Sequence, residues 1–238
     1  MPLLTTALWI LPAGAAGPSP GDLGKLNYEI EWRLIHAGDA ALDVNEREGT
    51  LRLISAGLVS ALFKVDDTYD VRYEQPFCAT GSQLDSKQGK AHRQTTVTYD
   101  RNQNRAMWVE RDLLKNEVLR TAQVDTPHCV HDVLGGILTL RTLTIEPGQS
   151  MTVPMSDGRR AAQVKVEAQE REDVSTPAGT FKTIRYEANL MNGVVYQRKG
   201  RVFVWVTDDA RRIPVQIRLR MAFPIGTVTL QLQKEGAK

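Results

Sequence analysis

The densest run of residues able to do chemistry is His128-Cys129-Val130-His131-Asp132. Imidazole, thiolate and carboxylate all bind zinc, so three ligand types in so short a run raise the question of a metal site. A zinc site draws ligands from a second segment, and the sequence has no Cys-x-x-Cys or His-x-x-x-His elsewhere. A Cys129 oxidised to a disulfide cannot ligate at all. The economical reading is a helix start, with Asp132 as N-cap and His131 as its neighbour, and no metal or other cofactor. Paired acids at Asp66-Asp67 and Asp208-Asp209 invite a second chemistry. Two carboxylates flanking a sugar can hydrolyse a glycosidic bond, here Asp66 or Asp67 acting with Asp209. Adjacent residues on a strand point to opposite faces, so only one member of a pair can serve. Asp208-Asp209 also sits beside Arg211 and Arg212, where turn hydrogen bonds and ion pairing account for it. His36 and His92 stand alone, and GxSxG, HExxH, GxxxxGK[ST] and GxGxxG are all absent. No catalytic set emerges.

The elements that would hold any site are strands. Leu26, Tyr28, Ile30 and Trp32 alternate with Asn27, Glu29, Glu31 and Arg33, the period of two that marks a half-buried strand. The same alternation runs through Val164-Val166-Ala168, Ile184-Tyr186-Ala188-Leu190, Ile213 to Met221, and Val228-Leu230-Leu232. One wet and one dry face is the pattern of an antiparallel sheet. Turn residues punctuate these runs. Asp157-Gly158 and Asn192-Gly193 carry the chemistry of type I′ turns, and Pro177-Ala178-Gly179, Asp208 to Arg211 and Pro224-Ile225-Gly226 break the chain between strands.

Val202 to Val206 is apolar on both faces, which predicts a central strand covered on both sides. One face would look into a lumen and the other would lie under a helix or loop. The Trp205 indole N–H then needs a partner. Two helices interrupt the β pattern: a short one over Leu58–Lys64 with Leu58, Leu62 and Phe63 as its apolar side, and a longer one over His131–Thr142. Gly135 and Gly136 weaken the second by about 1 kcal/mol each relative to Ala, so tertiary packing must hold it. The fold class is mainly β: a curved antiparallel meander or incomplete barrel with one longer helix packed against it. Tyr28, Trp32, Phe203 and Trp205 are the candidate ligand-binding walls of its lumen.

Composition narrows the setting. The 238 residues carry 30 Lys+Arg against 28 Asp+Glu and are 42% hydrophobic, a globular balance with ample material for a core. A net charge of +2, spread along the chain, gives no face of the sort nucleic acid needs. No apolar run approaches the roughly 20 residues of a membrane span. Leu3–Leu11 followed by Ala13-Gly14-Ala15 reads as a signal peptide over residues 1–16, although no Lys or Arg precedes Lys25. The mature chain then begins near Gly17, and 17–238 forms a single β-rich domain. With only two cysteines and an export signal, Cys78–Cys129 is the expected disulfide, with two separate buried thiols as the alternative.

Several motifs together are familiar. Leu26-x-Tyr28-x-Ile30-x-Trp32 followed by Ala37-Gly38-Asp39-Ala40, the run Leu58–Tyr69, His131-Asp132 and Glu146-Pro147-Gly148 are four of them. Pro177-Ala178-Gly179-Thr180-Phe181 and Gly200–Trp205 through Asp209, Arg212, Pro214 and Val215 complete the set. The whole resembles the bacterial exported family known as domain of unknown function 3108. The resemblance implies a periplasmic or secreted β-rich protein, loosely similar to the open half-barrels of envelope proteins that carry or sense lipids, and it brings no catalytic residues. The function expected is non-catalytic binding of a lipid, glycolipid or lipoprotein. A structural role through protein contacts, or polysaccharide hydrolysis by the paired acids, are the alternatives.

Overall fold

The computed structural model describes residues 23–74 and 77–234. The expected signal at 1–16 and the start near Gly17 lie outside them. Among the described residues, fourteen strands form one antiparallel sheet. From β1 (Gly24–Trp32) the chain winds outward through β2 (Ile35–Val44), β3 (Glu48–Ser55), α1 (Gly57–Leu62), β4 (Val65–Glu74), β5 (Cys78–Gln88), β6 (Ala91–Asp100), β7 (Arg105–Asp112) and β8 (Glu117–Asp125). It then crosses through α2 (Val133–Thr142) to β9 (Ser150–Ser156) on the opposite edge. β10 (Ala161–Thr176), β11 (Gly179–Ala188), β12 (Gly200–Thr207), β13 (Pro214–Met221) and β14 (Thr227–Leu232) wind back inward. The two meanders join where β14 pairs with β1, Tyr28 opposite Leu232 and Trp32 opposite Val228.

A sheet of this many strands would be about 60 Å wide if flat, and only curling lets it bury one face. It curls without closing, since β8 and β9 are the two ends of the strand order. The β9 edge is blunted by Pro154, which has no N–H to offer and whose carbonyl accepts from the His131 amide at 2.9 Å. Buried side chains fill the inner face in two clusters, one around Tyr28, Val71, Tyr73 and Trp108, the other around Val164, Tyr186 and Val204. α2 touches both, with Leu134 and Leu138 in the first and Leu140 in the second.

The disulfide is formed: Cys78 at the start of β5 is bonded to Cys129 ahead of α2. Asp132 caps α2, accepting from the backbone N–H of Gly135 at 2.9 Å and Leu134 at 3.2 Å. Its two glycines have a steric reason. A Cβ on Gly135 would lie 2.9 Å from the Phe77 carbonyl oxygen, and one on Gly136 would lie 2.6 Å from the Met155 methyl. Asn192-Gly193 forms the expected turn, both φ values positive and the Val194 amide closing on Met191 O. Asp157-Gly158 does not. Asp157 keeps a negative φ and uses its carboxylate to accept from the amides of Arg159 and Arg160, which makes a longer loop between β9 and β10. The apolar side of α1 is also unlike the expectation. None of its residues is buried; Leu58 is 73% and Leu62 83% exposed.

Candidate apolar binding cavity

Between α2 and the inner face of the sheet lies a cavity of about 710 Å³. That is within the roughly 300–1,000 Å³ typical of small-molecule sites. Its sheet walls are Ile30 of β1, Leu51 and Leu53 of β3, Val202 and Val204 of β12, Ile217, Leu219 and Met221 of β13, and Val228 and Leu230 of β14. The helix contributes Val133, Leu134, Ile137 and Leu140. The register explains the lining, because Val202 pairs with Leu219 and Leu219 with Val228, so one row of alternate residues faces inward across three strands. Polar groups are confined to the loops before β10 and β12, where Arg159, Tyr196, Gln197 and Arg198 complete the wall. The Tyr196 hydroxyl is held neutral, its pKa raised by burial and by the charges of Asp157 and Asp132. The chamber is apolar with one polar end.

The helix forming one wall is tied down at both ends. At its start, the Tyr69 hydroxyl donates to Asp132 Oδ2 at 2.7 Å, and His131 donates from Nδ1 to the Phe77 carbonyl at 2.9 Å. Burial raises the Asp132 pKa, opposed by the Tyr69 hydroxyl, the capped amides and Tyr73. Burial lowers that of His131, partly offset by the Phe77 carbonyl and by Asp132. At the other end, Arg141 donates to the carbonyls of Arg211 and Arg212. Arg212 reciprocates to the Leu143 carbonyl at 3.1 Å and bonds the Tyr186 hydroxyl at 2.5 Å.

None of the four candidate wall residues lines the chamber. Tyr28 is 1% exposed and donates to the Pro214 carbonyl at 2.8 Å, outside the cavity lining. Trp32 lies opposite the lining residue Val228 but stands at the rim, its indole bonded to Ile225 O at 2.6 Å. Phe203 and Trp205 point to the other face of β12. The Trp205 indole donates to Glu172 at 2.8 Å, and arginines cover both rings, Arg201 and Arg220 over Phe203 and Arg218 over Trp205. A strand apolar on both faces gives no sign of which face is inward, and Val202 and Val204, alternating with the aromatics, are the lining.

The acids do not converge. Asp66 and Asp67 are on β4 and Asp209 is in the turn after β12, with β3, β2, β1, β14 and β13 between them in the sheet. Asp66 pairs with Arg52 and Asp67 accepts from Gln88. For Asp209, burial acts to raise the pKa, but the Thr207 hydroxyl and the amides of Arg212 and Arg211 outweigh it and leave the pKa lowered. Asp209 is a turn acceptor. Among the described residues no group of three or more His, Cys, Asp or Glu is placed to hold a metal ion.

A family model described as "Protein of unknown function (DUF3108)" matches residues 27–233. The chain belongs to that family. The match takes in every residue that lines the cavity, so the chamber is built from the DUF3108 region itself. No curated protein matches the DUF3108 chain significantly. Among solved structures it is similar to a β-barrel-like protein of domain of unknown function DUF1849 from Brucella abortus. That likeness has a TM-score of 0.59 at 8% identity and covers 90% of this chain and 98% of that one. A DUF1089 family protein from Pseudomonas aeruginosa aligns with a TM-score of 0.41 at 12% identity, over 88% of this chain and 95% of that one. The first likeness places the fold among β-barrel-like proteins. Among the described residues no helix is long and apolar enough to cross a membrane.

Proposed function

We infer that the DUF3108 chain is an exported envelope protein that holds a hydrophobic or amphipathic molecule, a lipid, glycolipid or lipoprotein acyl chain, without transforming it. The observation that supports this reading is the chamber: apolar walls of about 710 Å³ with arginine and amide groups at one end only. An acyl chain would lie against Leu53, Val204, Leu219 and Ile137, and a polar end would meet Gln197, Arg159 and Arg198. The disulfide accords with an oxidising compartment. The scattered acids argue against the hydrolase reading, since glycosidic cleavage needs two carboxylates within about 10 Å.

Native mass spectrometry of gently extracted protein, followed by lipid extraction, tests the reading. A bound acyl-bearing molecule is expected, and Leu53→Trp with Leu219→Trp should lower its occupancy while the fold stays intact. Protein that never carries a small molecule, and takes up no fluorescent fatty acid, would leave the chamber without a cargo and overturn it.

A further inference from the structure

Four neighbouring loops form one rim of the sheet. The β13–β14 turn meets the β1–β2 turn where the Arg33 amide donates to Thr227 O at 3.2 Å and the Arg33 guanidinium donates to Pro224 O. β2 meets the start of α1 where the Ala56 amide donates to Ala37 O at 2.8 Å. The chain after α1 meets the β5–β6 turn where the Gly89 amide donates to Lys64 O, also at 2.8 Å. Along this rim stand large apolar side chains with nothing over them: Phe223 at 90% exposed, Leu34 at 91%, Leu62 at 83%, Leu58 at 73% and Phe63 at 51%. Isolated exposed apolar residues need no explanation; a row of five on adjoining loops does.

The charge beside them is positive. Arg33, Arg218, Arg220, Thr227, Thr229 and Glu31 line one groove under Leu34. Arg218 lies over the Trp205 ring and its Nε is buried with no hydrogen-bond partner. Arg220 stacks over Phe203. Neither makes an ion pair among the described residues, unlike Arg201 and Arg185 on the same face, which are tied to Glu187 and Glu172. Lys64 and Lys90 extend the positive charge to the far end of the rim. The β1–β2 turn adds a further sign. Arg33 and Leu34 both hold a positive φ, 51° and 69°, in a two-residue turn where Asn-Gly would sit without strain. The chain keeps a cation and an apolar side chain there at a conformational cost.

We propose that this rim is a docking surface for an anionic lipid bilayer, with Phe223, Leu34 and the α1 leucines entering the acyl boundary and the groove of Arg33, Arg218 and Arg220 taking a headgroup phosphate. Apolar side chains inserted beside a cluster of cations is the chemistry of peripheral binding to acidic membranes. The surface goes beyond the cargo reading and would stand if the chamber held nothing. Its placement is nonetheless apt, because the cavity lining includes Met221 and Val228, which bracket the β13–β14 turn.

The test is flotation of the full chain with vesicles of phosphatidylcholine alone or mixed with phosphatidylglycerol, at low and high salt. Residues 1–22 are common to every variant, so differences report the rim. Binding is expected to the anionic vesicles only and to weaken with salt. Leu34→Ser with Phe223→Ser should reduce it at least tenfold at an unchanged melting temperature. Arg218→Gln with Arg220→Gln should reduce it roughly 25-fold, at about fivefold for each cation. Arg33→Asn with Leu34→Gly should weaken it without lowering the melting temperature. Equal binding to both vesicles, or variants that float like the parent, would overturn the proposal. So would self-association that these substitutions abolish in protein that binds no vesicle, which would make the occupant a second copy. Cargo retention in every variant keeps this outcome separate from that of the cavity.

Discussion

Replacing Asp132 by Ala and by Asn separates the jobs its carboxylate does. In the folded chain it accepts from two α2 amides and from the Tyr69 hydroxyl. Alanine removes the acceptor of all three hydrogen bonds. Loss of the cap costs about 1–2 kcal/mol, and the deprived Tyr69 hydroxyl about 1–3 kcal/mol. Release of a buried carboxylate offsets part of that, leaving a net loss of about 2–4 kcal/mol. For a chain of this size each kcal/mol moves the melting point by about 2–4 °C, so Asp132→Ala should melt roughly 5–15 °C lower. Asparagine has the same shape but a single acceptor oxygen, so Asp132→Asn keeps one capped amide and should fall between the parent and Asp132→Ala at neutral pH. The pH dependence has a definite sign. Burial puts the folded-state pKa of Asp132 above its ordinary 3.8, so the folded chain holds the proton more tightly than the unfolded one. The parent therefore carries a penalty above the folded-state pKa and sheds it as pH falls towards 3.8, gaining on Asp132→Asn. Urea titrations of the three proteins at neutral and mildly acid pH give all of these numbers. An alanine variant as stable as the parent would refute the argument that this residue fastens α2 to the sheet.

His131 should act in the opposite sense. Its pKa is lowered from 6.5 by burial, so stability present above 6.5 is lost as pH falls below it; His131→Asn in an Asp132→Asn background should flatten that slope in chemical denaturation. Removing both cysteines, Cys78→Ser with Cys129→Ser, reopens a loop with a sequence separation of 51 and should cost about 4 kcal/mol, while thiol titration of the denatured parent finds none free. Trp205→Ala should cost about 3–5 kcal/mol, because the ring is 3% exposed and bonded to Glu172, whereas Trp32→Ala at the rim should cost far less; equal losses in melting curves would contradict the placement of the two rings.

The β meander was legible because most strands in the second half keep one dry face, and that alternation survives in the register of Ile184–Tyr186–Ala188 and of Val228–Leu230–Leu232. The capped helix was legible because Asp132 precedes a run with helical spacing. The disulfide followed from a count of two. What the sequence hid has physical causes. On β12, Val202, Phe203, Val204, Trp205 and Val206 are all buried, so the period of two carries no information there, and Phe203 and Trp205 fall outside the lining that Val202 and Val204 supply. The β1–β2 turn carries no Gly, Asn, Asp or Pro at Arg33-Leu34, and nothing in the pattern marks it. In α1 the spacing of Leu58 and Leu62 looks like a core-facing side, and only the structure shows that no core lies opposite. The cavity itself needs β1, β3, β12, β13, β14 and α2 together, a conjunction that no local window contains.

The pairing of the first strand with the last has a consequence for how the sheet is made. Each meander consists of hairpins between chain neighbours, so β1 to β8 and β9 to β14 can each form by short loop closures. The seam between Tyr28 and Leu232 joins residues far apart along the chain, while every other strand pairing in the sheet is between chain neighbours. Contacts so distant along the chain are the slow ones to form. Until they do, Ile30, Val228 and Leu230 have no chamber to line, and the inner face of both halves is open to solvent. Without β14 the chain is therefore two exposed half-sheets, with β1 and β13 left as edges that the complete sheet does not have, and β14 is the strand that turns them into a container.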